Sequence, residues 1–84
     1  MKKQLAVDNA FINAKRIHMI GIGGSGMCPI AELLLSRGFI VTGSDRSDNA
    51  NVKRLRELGV TVYNEHVGDN INGADLVAFS AAVP

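Results

Sequence analysis

The 84-residue sequence predicts an α/β fold in which helices flank a parallel sheet of four strands. Two observations lead to this prediction: short apolar segments alternate with segments of helical spacing, and a glycine follows each helical segment. The resulting order β-α-β-α-β-loop-β implies parallel strands joined by right-handed crossovers. The simplest spatial order of these strands is 3-2-1-4, which is part of a doubly wound sheet.

The first strand is predicted over residues 16–22, a short apolar stretch typical of a strand that is buried on both faces. The helix that follows has an apolar stripe at helical spacing, formed by Met27, Ile30, Ala31, Leu34 and Leu35. Pro29 requires this helix to begin close to Gly26, because a proline well inside a helix clashes with a carbonyl of the preceding turn. Gly38 can adopt the left-handed conformation that ends the helix.

The second half of the chain repeats this pattern. A second strand is predicted over residues 39–45, and a second helix follows with an apolar face of Val52, Leu55 and Leu58. Gly59 ends that helix in the same way. Residues 60–63 form a predicted third strand, and residues 76–81 form a fourth after a polar loop.

Charge and composition exclude several classes of protein. A net charge of +1 gives no electrostatic argument for binding nucleic acid or an anionic membrane. The single cysteine, Cys28, excludes an internal disulfide and fits a reducing cytoplasm. No apolar run approaches the roughly 20 residues that span a bilayer. We therefore expect a cytoplasmic domain over residues 16–84, preceded by an N-terminal arm or short helix over residues 1–15.

A glycine-rich loop joins the first strand to the first helix. Gly21, Gly23 and Gly26 match the pattern G-x-G-x-x-G, with Gly24 and Ser25 adding a further glycine and a hydroxyl donor. In this pattern the first glycine permits a tight turn, the second lets a phosphate approach the main chain, and the third lets the helix pack closely on its strand. The alternative is a plain strand–helix turn. Because the loop follows a predicted strand and opens a helix, phosphate binding is favoured.

Other polar residues are candidates for the same site. Asp45 ends the second strand, where an acidic residue accepts hydrogen bonds from a ribose diol, although it could also simply cap the following loop. His66 and Ser80 lie on the ligand side of the sheet, each with a purely structural alternative. His18 is interpreted as a core or edge histidine, and Cys28 as a packing residue. No G-x-x-x-x-G-K-[ST] loop, metal-ligand cluster or acid–base pair is found, so we expect the chain to bind a ligand and not to catalyse alone.

The segments "IHMIGIGGSGMCPIAELLLSRGFIVTGSD" and "LRELGVTVYNEHVGDNINGADLVAFSAAVP" resemble the N-terminal domain of the Mur ligases. The resemblance covers residues 17–84. Its most specific parts are the loop "GIGGSGM", the strand exit "GSD", "H-x-x-x-N-I" from His66, and "AD-x-V-x-x-S-x-A" around Asp75. The resemblance implies a Rossmann-like UDP-muramate-binding domain, truncated before the ATP-binding and C-terminal domains of the family.

The resemblance also implies a site for the UDP part of a substrate. In that site the backbone from Gly23 to Met27 would hold the diphosphate, and Ser44 and Asp45 would lie beside the uridine. The full implied set is Gly23, Gly24, Ser25, Gly26, Met27, Ser44, Asp45, His66, Asn70, Ser80 and Ala81. No catalytic residue and no metal ligand are implied within the chain.

Within the family, the resemblance is greatest to ligases that join L-alanine to UDP-N-acetylmuramic acid in peptidoglycan synthesis. Such an enzyme uses ATP and Mg²⁺ to phosphorylate the muramate carboxylate, and alanine then attacks the acyl phosphate with release of ADP and phosphate. The parent would be an ADP-forming amide-bond ligase, with its remaining domains as partners in cis, while this chain alone would be inactive and would bind no cofactor.

Three alternatives stay open from the residues. Cys28, Pro29 and "YNEH" depart from the family pattern and leave room for a sibling ligase with another amino acid. The same glycine-rich loop and Asp45 would also bind NAD in a module of a dehydrogenase or a redox regulator. A chain that binds nothing, because half of its crevice is missing, is the third alternative.

Overall fold

The computed structural model describes residues 14–66 and 68–79, which form a four-stranded parallel sheet with two helices packed against it. The predicted strand order is confirmed, since the strands lie in the order β3-β2-β1-β4. Of the predicted segments, residues 1–13 and 80–84 lie outside the described residues. The elements are β1 (Arg16–Ile20), α1 (Met27–Ser36), β2 (Ile40–Ser44), α2 (Ala50–Glu57), β3 (Thr61–Tyr63), a 3₁₀ turn (Gly68–Ile71) and β4 (Leu76–Phe79).

The strand register brings the carboxyl ends of all four strands to one edge of the sheet. Ile20 at the end of β1 lies opposite Ser44 of β2 on one side and Phe79 of β4 on the other. Ser44 in turn lies opposite Tyr63 of β3. The chain order reverses between β1 and β4, so this edge contains the crevice where open α/β sheets bind ligands.

The hydrophobic core lies between the sheet and the two helices. Its central side chains are almost completely excluded from solvent, namely Met19, Ile22, Ala31, Val52 and Leu55. Each CH₂ group buried in this way contributes about 0.8 kcal/mol to folding. The prediction that Ile30 and Leu58 lie in the core is wrong, since these residues are 49% and 51% exposed. On α1 the smaller residues Cys28 and Ala31 face the sheet instead, and α2 ends at Glu57, one residue before Leu58.

Both helices end in the way that their glycines predict. Gly38 and Gly59 have φ angles of +90° and +97°, a conformation that favours glycine. In α1 the Phe39 amide donates to the Leu34 carbonyl at 3.1 Å, and the Gly38 amide donates to the Leu35 carbonyl at 3.0 Å. This pair of bonds satisfies the last helical carbonyls and directs the chain into β2.

Candidate functional site

The glycine loop, residues 21–26, is anchored to the end of β2 rather than to its own strand. The amides of Gly21 and Ile22 both donate to the Ser44 carbonyl, at 2.8 and 3.1 Å. Gly21 has a φ angle of +76°, which allows the chain to turn sharply after β1. The tight turn predicted for the first glycine is therefore present, and the turn places the loop at the crevice.

Both polar groups of the Gly23 main chain are bonded to the segment that follows β2. Its amide donates to Oδ2 of Asp45 at 2.8 Å. Its carbonyl accepts from Nδ2 of Asn49 at 3.2 Å and from Nδ2 of Asn51 at 3.0 Å. These three side chains fix the orientation of the two peptide groups that flank Gly23. The Gly23 amide thus already has a partner within the chain. The diphosphate contact of Gly23 stays a prediction.

Close packing occurs at Gly23 in the loop and at Gly43 in β2, and not at Gly26 as expected. A Cβ atom on Gly23 would lie 2.6 Å from Cγ2 of the buried Val52. A Cβ atom on Gly26 would meet nothing within 4 Å, so the close helix–strand packing predicted for Gly26 is wrong. Gly43, which the sequence analysis missed, lies in the middle of β2, where a Cβ atom would come 2.6 Å from Ile22. A glycine inside a strand is the signal that could have indicated this close approach.

A cleft of about 460 Å³ lies over the loop at the start of α1. Its walls include much of the predicted phosphate-binding segment, and the lining residues are Gly21, Gly24, Ser25, Gly26, Met27, Ile30 and Phe79. Within the part of the chain that the structure describes, the amides of Ser25 and Gly26 donate no hydrogen bond, whereas the Met27 amide donates to Gly24. The unpaired amides of two exposed residues, beside the positive end of a ten-residue helix, form an environment suited to an anion.

Asp45 makes two backbone contacts of the capping type. Oδ1 accepts from the Ser47 amide at 2.9 Å, and Oδ2 accepts from the Gly23 amide at 2.8 Å. The structural alternative raised by the sequence is therefore present, and it extends across to the glycine loop. The predicted contact between Asp45 and a ribose stays a prediction.

A second cavity of about 250 Å³ opens at the same edge, on the sheet face opposite to the core. It is lined by His18, Ile20, Ser44, His66, Gly68 and Ile71. Ser44 Oγ lies 2.6 Å from Nδ1 of His66, and Thr42 Oγ1 lies 2.8 Å from Nδ1 of His18. Asn70, another predicted site residue, donates from Nδ2 to the Glu65 carbonyl at 2.6 Å and so holds the loop that carries His66.

Burial changes the acid–base properties of two residues. Burial, with a smaller contribution from nearby His66, lowers the pKa of His18, which therefore stays neutral near pH 7. Burial and the neighbouring Glu32 carboxylate raise the pKa of the Cys28 thiol. Cys28 Sγ lies 3.7 Å from that carboxylate. The interpretation of Cys28 as a packing residue is consistent with this environment, since a reactive thiolate requires a lowered pKa.

Two negative findings concern the described residues 14–66 and 68–79. None of their histidines, cysteines, aspartates and glutamates form a group of three or more that could hold a metal ion. No helix in these ranges is long and apolar enough to cross a membrane.

The structure thus brings most of the predicted site residues to one edge of the sheet. Gly24, Ser25, Gly26 and Met27 line the first cleft, Ser44 and His66 line the second cavity, and Asp45 lies beside Gly23. Ser80 and Ala81 fall outside the described residues. Sequence reasoning missed Asn49 and Asn51, whose amides hold the loop, although Asn49 also has the sequence position of a helix cap.

The fold and this site define a parallel α/β domain with a glycine-rich loop at its topological switch point. A family model described as "Mur ligase family, catalytic domain" matches residues 16–84. The chain belongs to the Mur ligase family.

Similar proteins carry more specific names. UDP-N-acetylmuramate–L-alanine ligase of Bradyrhizobium sp. (strain ORS 278) is 57% identical over 67 residues, which cover 80% of this chain and 14% of that protein. The ligase of the same name from Legionella pneumophila (strain Corby) is 52% identical over 69 residues, covering 82% of this chain and 15% of that protein. This chain therefore spans only about one seventh of the length of these relatives.

A solved structure shows the same fold. The crystal structure of UDP-N-acetylmuramate-alanine ligase MurC from Thermotoga maritima matches with a TM-score of 0.76 and 38% sequence identity. The match covers 82% of this chain and 16% of that one.

Proposed function

We propose that this chain is the UDP-N-acetylmuramic acid-binding part of an ADP-forming ligase that adds L-alanine to that substrate in peptidoglycan synthesis, in the cytoplasm. The observation that carries the proposal is a glycine loop with unpaired amides at the sheet's switch point, in a chain 57% identical over 67 residues to a protein named as that ligase. Residues 16–84 would form the substrate-binding domain, and residues 1–15 an arm or short helix before it.

The diphosphate would lie against the amides of Ser25 and Gly26. These are the donors left unpaired in the predicted segment from Gly23 to Met27, and the helix dipole of α1 favours negative charge at the same place. Phe79, which is 69% exposed, forms an apolar side of the cleft.

The uridine side of the substrate would lie towards the end of β2 and the loop after β3. Asp45 would accept hydrogen bonds from the nucleoside, and His66 and Asn70 would border it from the neighbouring loop, as the family resemblance implies. Ser80 and Ala81, which follow Phe79 in the sequence, complete the proposed set.

ATP and Mg²⁺, which the parent ligase would require, do not fit the described residues. These residues offer no group of metal ligands, and the whole sequence lacks a G-x-x-x-x-G-K-[ST] loop for a triphosphate. We therefore assign nucleotide hydrolysis and amide formation to parts of the parent ligase outside residues 16–84, acting with this domain in cis. The chain alone is expected to release no ADP when mixed with ATP, Mg²⁺, L-alanine and the substrate, and any substrate-dependent release would contradict this assignment.

Calorimetric titration with UDP-N-acetylmuramic acid, UDP and NADH in parallel tests the proposal. Heat of binding from the two uridine ligands and none from NADH would support it. Binding of NADH alone would favour a dinucleotide-binding module of a dehydrogenase or redox regulator. If none of the three compounds gave heat of binding, ligand binding by this chain would be contradicted.

A matched pair of variants locates the site in the same titration. Gly26→Val places a side chain in open space at the loop and should weaken UDP binding at least about tenfold by obstructing the anion site. Ser36→Val places the same side chain at the exposed opposite end of α1, where it removes only the bond from Ser36 Oγ to the Leu33 carbonyl, and it should leave the affinity unchanged.

A further inference from the structure

We propose that Ser44 is a positioning residue that fixes the tautomer and orientation of His66, so that His66 presents an Nε2–H donor to an oxygen of the bound ligand. This inference rests on the proposed function for the identity of the ligand, a nucleoside diphosphate. The hydrogen bond itself, and the tautomer that it selects, do not depend on that function.

The two residues are joined across the carboxyl edge of the sheet. Ser44 is the last residue of β2 and is 1% exposed, whereas His66 is exposed in the loop after β3. Ser44 Oγ and His66 Nδ1 are 2.6 Å apart, although the residues are separated by 22 positions in the chain. A short bond from a rigid strand to a loop restricts the rotation of the imidazole ring.

Burial of the serine decides which way the proton points. Within the described residues, the hydroxyl of Ser44 has no partner other than His66, and the residue is only 1% exposed. If Nδ1 carried the proton, the hydroxyl hydrogen would be buried without an acceptor, which is unfavourable. Ser44 therefore donates to Nδ1, and the proton of the neutral imidazole resides on Nε2.

The geometry divides the roles of the two side chains. Ser44 is 1% exposed and its hydroxyl is bonded to His66, so the predicted position of Ser44 beside the uridine is better explained through His66. The Nε2 atom of His66 has no hydrogen-bond partner among the described residues, and the ring borders the cavity of about 250 Å³. An N–H donor at this place suits a phosphate or carbonyl oxygen.

A second pair on the same strand provides a control. Thr42 lies two residues before Ser44, on the same face of β2, and its Oγ1 is 2.8 Å from Nδ1 of His18. His18 is 1% exposed and cannot present its ring to a ligand in the way that His66 can. Thr42→Val therefore removes a comparable hydroxyl–imidazole bond without touching His66.

Long-range ¹H–¹⁵N NMR of the imidazole nitrogens in the full chain, recorded at a pH where the histidines are neutral, tests the tautomer. His66 should show a protonated Nε2 in the wild type and in Thr42→Val, a mixture of tautomers in Ser44→Ala, and a restored protonated Nε2 in Ser44→Thr. A wild-type His66 protonated on Nδ1, or the same tautomer in Ser44→Ala as in the wild type, would overturn the proposal.

UDP titration of the same variants tests the positioning role. Ser44→Ala should raise the Kd for UDP about three- to tenfold, Ser44→Thr should restore it, and Thr42→Val should leave it unchanged. In a His66→Ala background, Ser44→Ala should cause no further loss, because the serine acts through the histidine. An equal loss in both backgrounds would overturn the role. If wild-type chain does not bind UDP, the proposed function fails, while the NMR experiment still decides the tautomer.

Discussion

The amide of Gly23 donates a hydrogen bond of 2.8 Å to the carboxylate of Asp45, and this contact joins the loop after β1 to the end of β2. Asn49 and Asn51 hold the Gly23 carbonyl from the same side. The shape of the glycine loop is therefore set by side chains that lie 22 or more positions further along the chain. Four predictions follow from this arrangement and from the buried His18.

Replacing Asp45 should destabilise the fold as well as weaken ligand binding. Asp45→Ala leaves the amides of Gly23 and Ser47 without their acceptor, and the loss should be about 1–3 kcal/mol in the free energy of unfolding. Urea denaturation measures this loss, and Asp69→Ala is the control, since Asp69 is exposed and its side chain makes no hydrogen bond within the described residues. Equal stability of the two variants would show that the Asp45 contacts contribute nothing.

Two glycines of the loop should respond differently to the same substitution. In Gly23→Ala the new methyl group would lie 2.6 Å from Cγ2 of Val52, so the free energy of unfolding should fall by about 1–3 kcal/mol through overpacking. In Gly26→Ala the methyl group enters open space, and stability should stay within about 0.5 kcal/mol of the wild type. Thermal melts of both variants check this contrast, and a larger loss in Gly26→Ala would refute it.

Asn49 should contribute in two separable ways. Its Oδ1 accepts from the Val52 amide as the cap of α2, and its Nδ2 donates to the Gly23 carbonyl. Asn49→Ala should cost about 1–2 kcal/mol because both contacts are lost. Asn49→Ser retains a capping oxygen but no donor for Gly23, so its loss of stability should be smaller. If serine were as damaging as alanine, the cap would have no measurable effect.

Stability should fall as the pH falls below about 6.5, because of His18. Burial lowers the pKa of His18 from its ordinary value of 6.5, so the unfolded chain takes up a proton that the folded chain does not. The free energy of unfolding therefore declines as the pH falls from about 6.5 towards the pKa of His18 in the folded chain. Below that pKa the contribution of His18 to stability no longer changes.

Denaturant titrations between pH 8 and pH 5 test this dependence, with His18→Gln as the comparison. The variant should show a shallower pH dependence, and parallel curves would exclude His18 as the cause. Asp75 does not interfere in this range. The backbone amides of Lys15 and Arg16 lower its pKa from an ordinary value of 3.8, so its contribution is lost only in stronger acid.

Particular elements show how far the sequence could predict this domain. The glycine-ended helices were predicted because apolar periodicity and left-handed glycines are local signals. The strand order was predicted because parallel strands joined by right-handed crossovers allow few arrangements. Ile30 and Leu58 were wrongly expected in the core, since a stripe of helical spacing does not specify how the helix is rotated against the sheet. In α1 that rotation places Cys28 and Ala31 towards the sheet and leaves Ile30 at the cleft.

The sequence by itself determined the α/β class and the position of the glycine loop, because both depend on the types and spacing of neighbouring residues. It also determined the strand order, because the alternation of strands and helices combined with right-handed crossovers leaves few arrangements. Tertiary structure alone decided that Gly23, rather than Gly26, is packed against Val52, that Gly43 makes room for Ile22, and that Ser44 is bonded to His66. The partners in these contacts are separated by at least 20 positions in the chain, and only the register of the folded sheet brings them together.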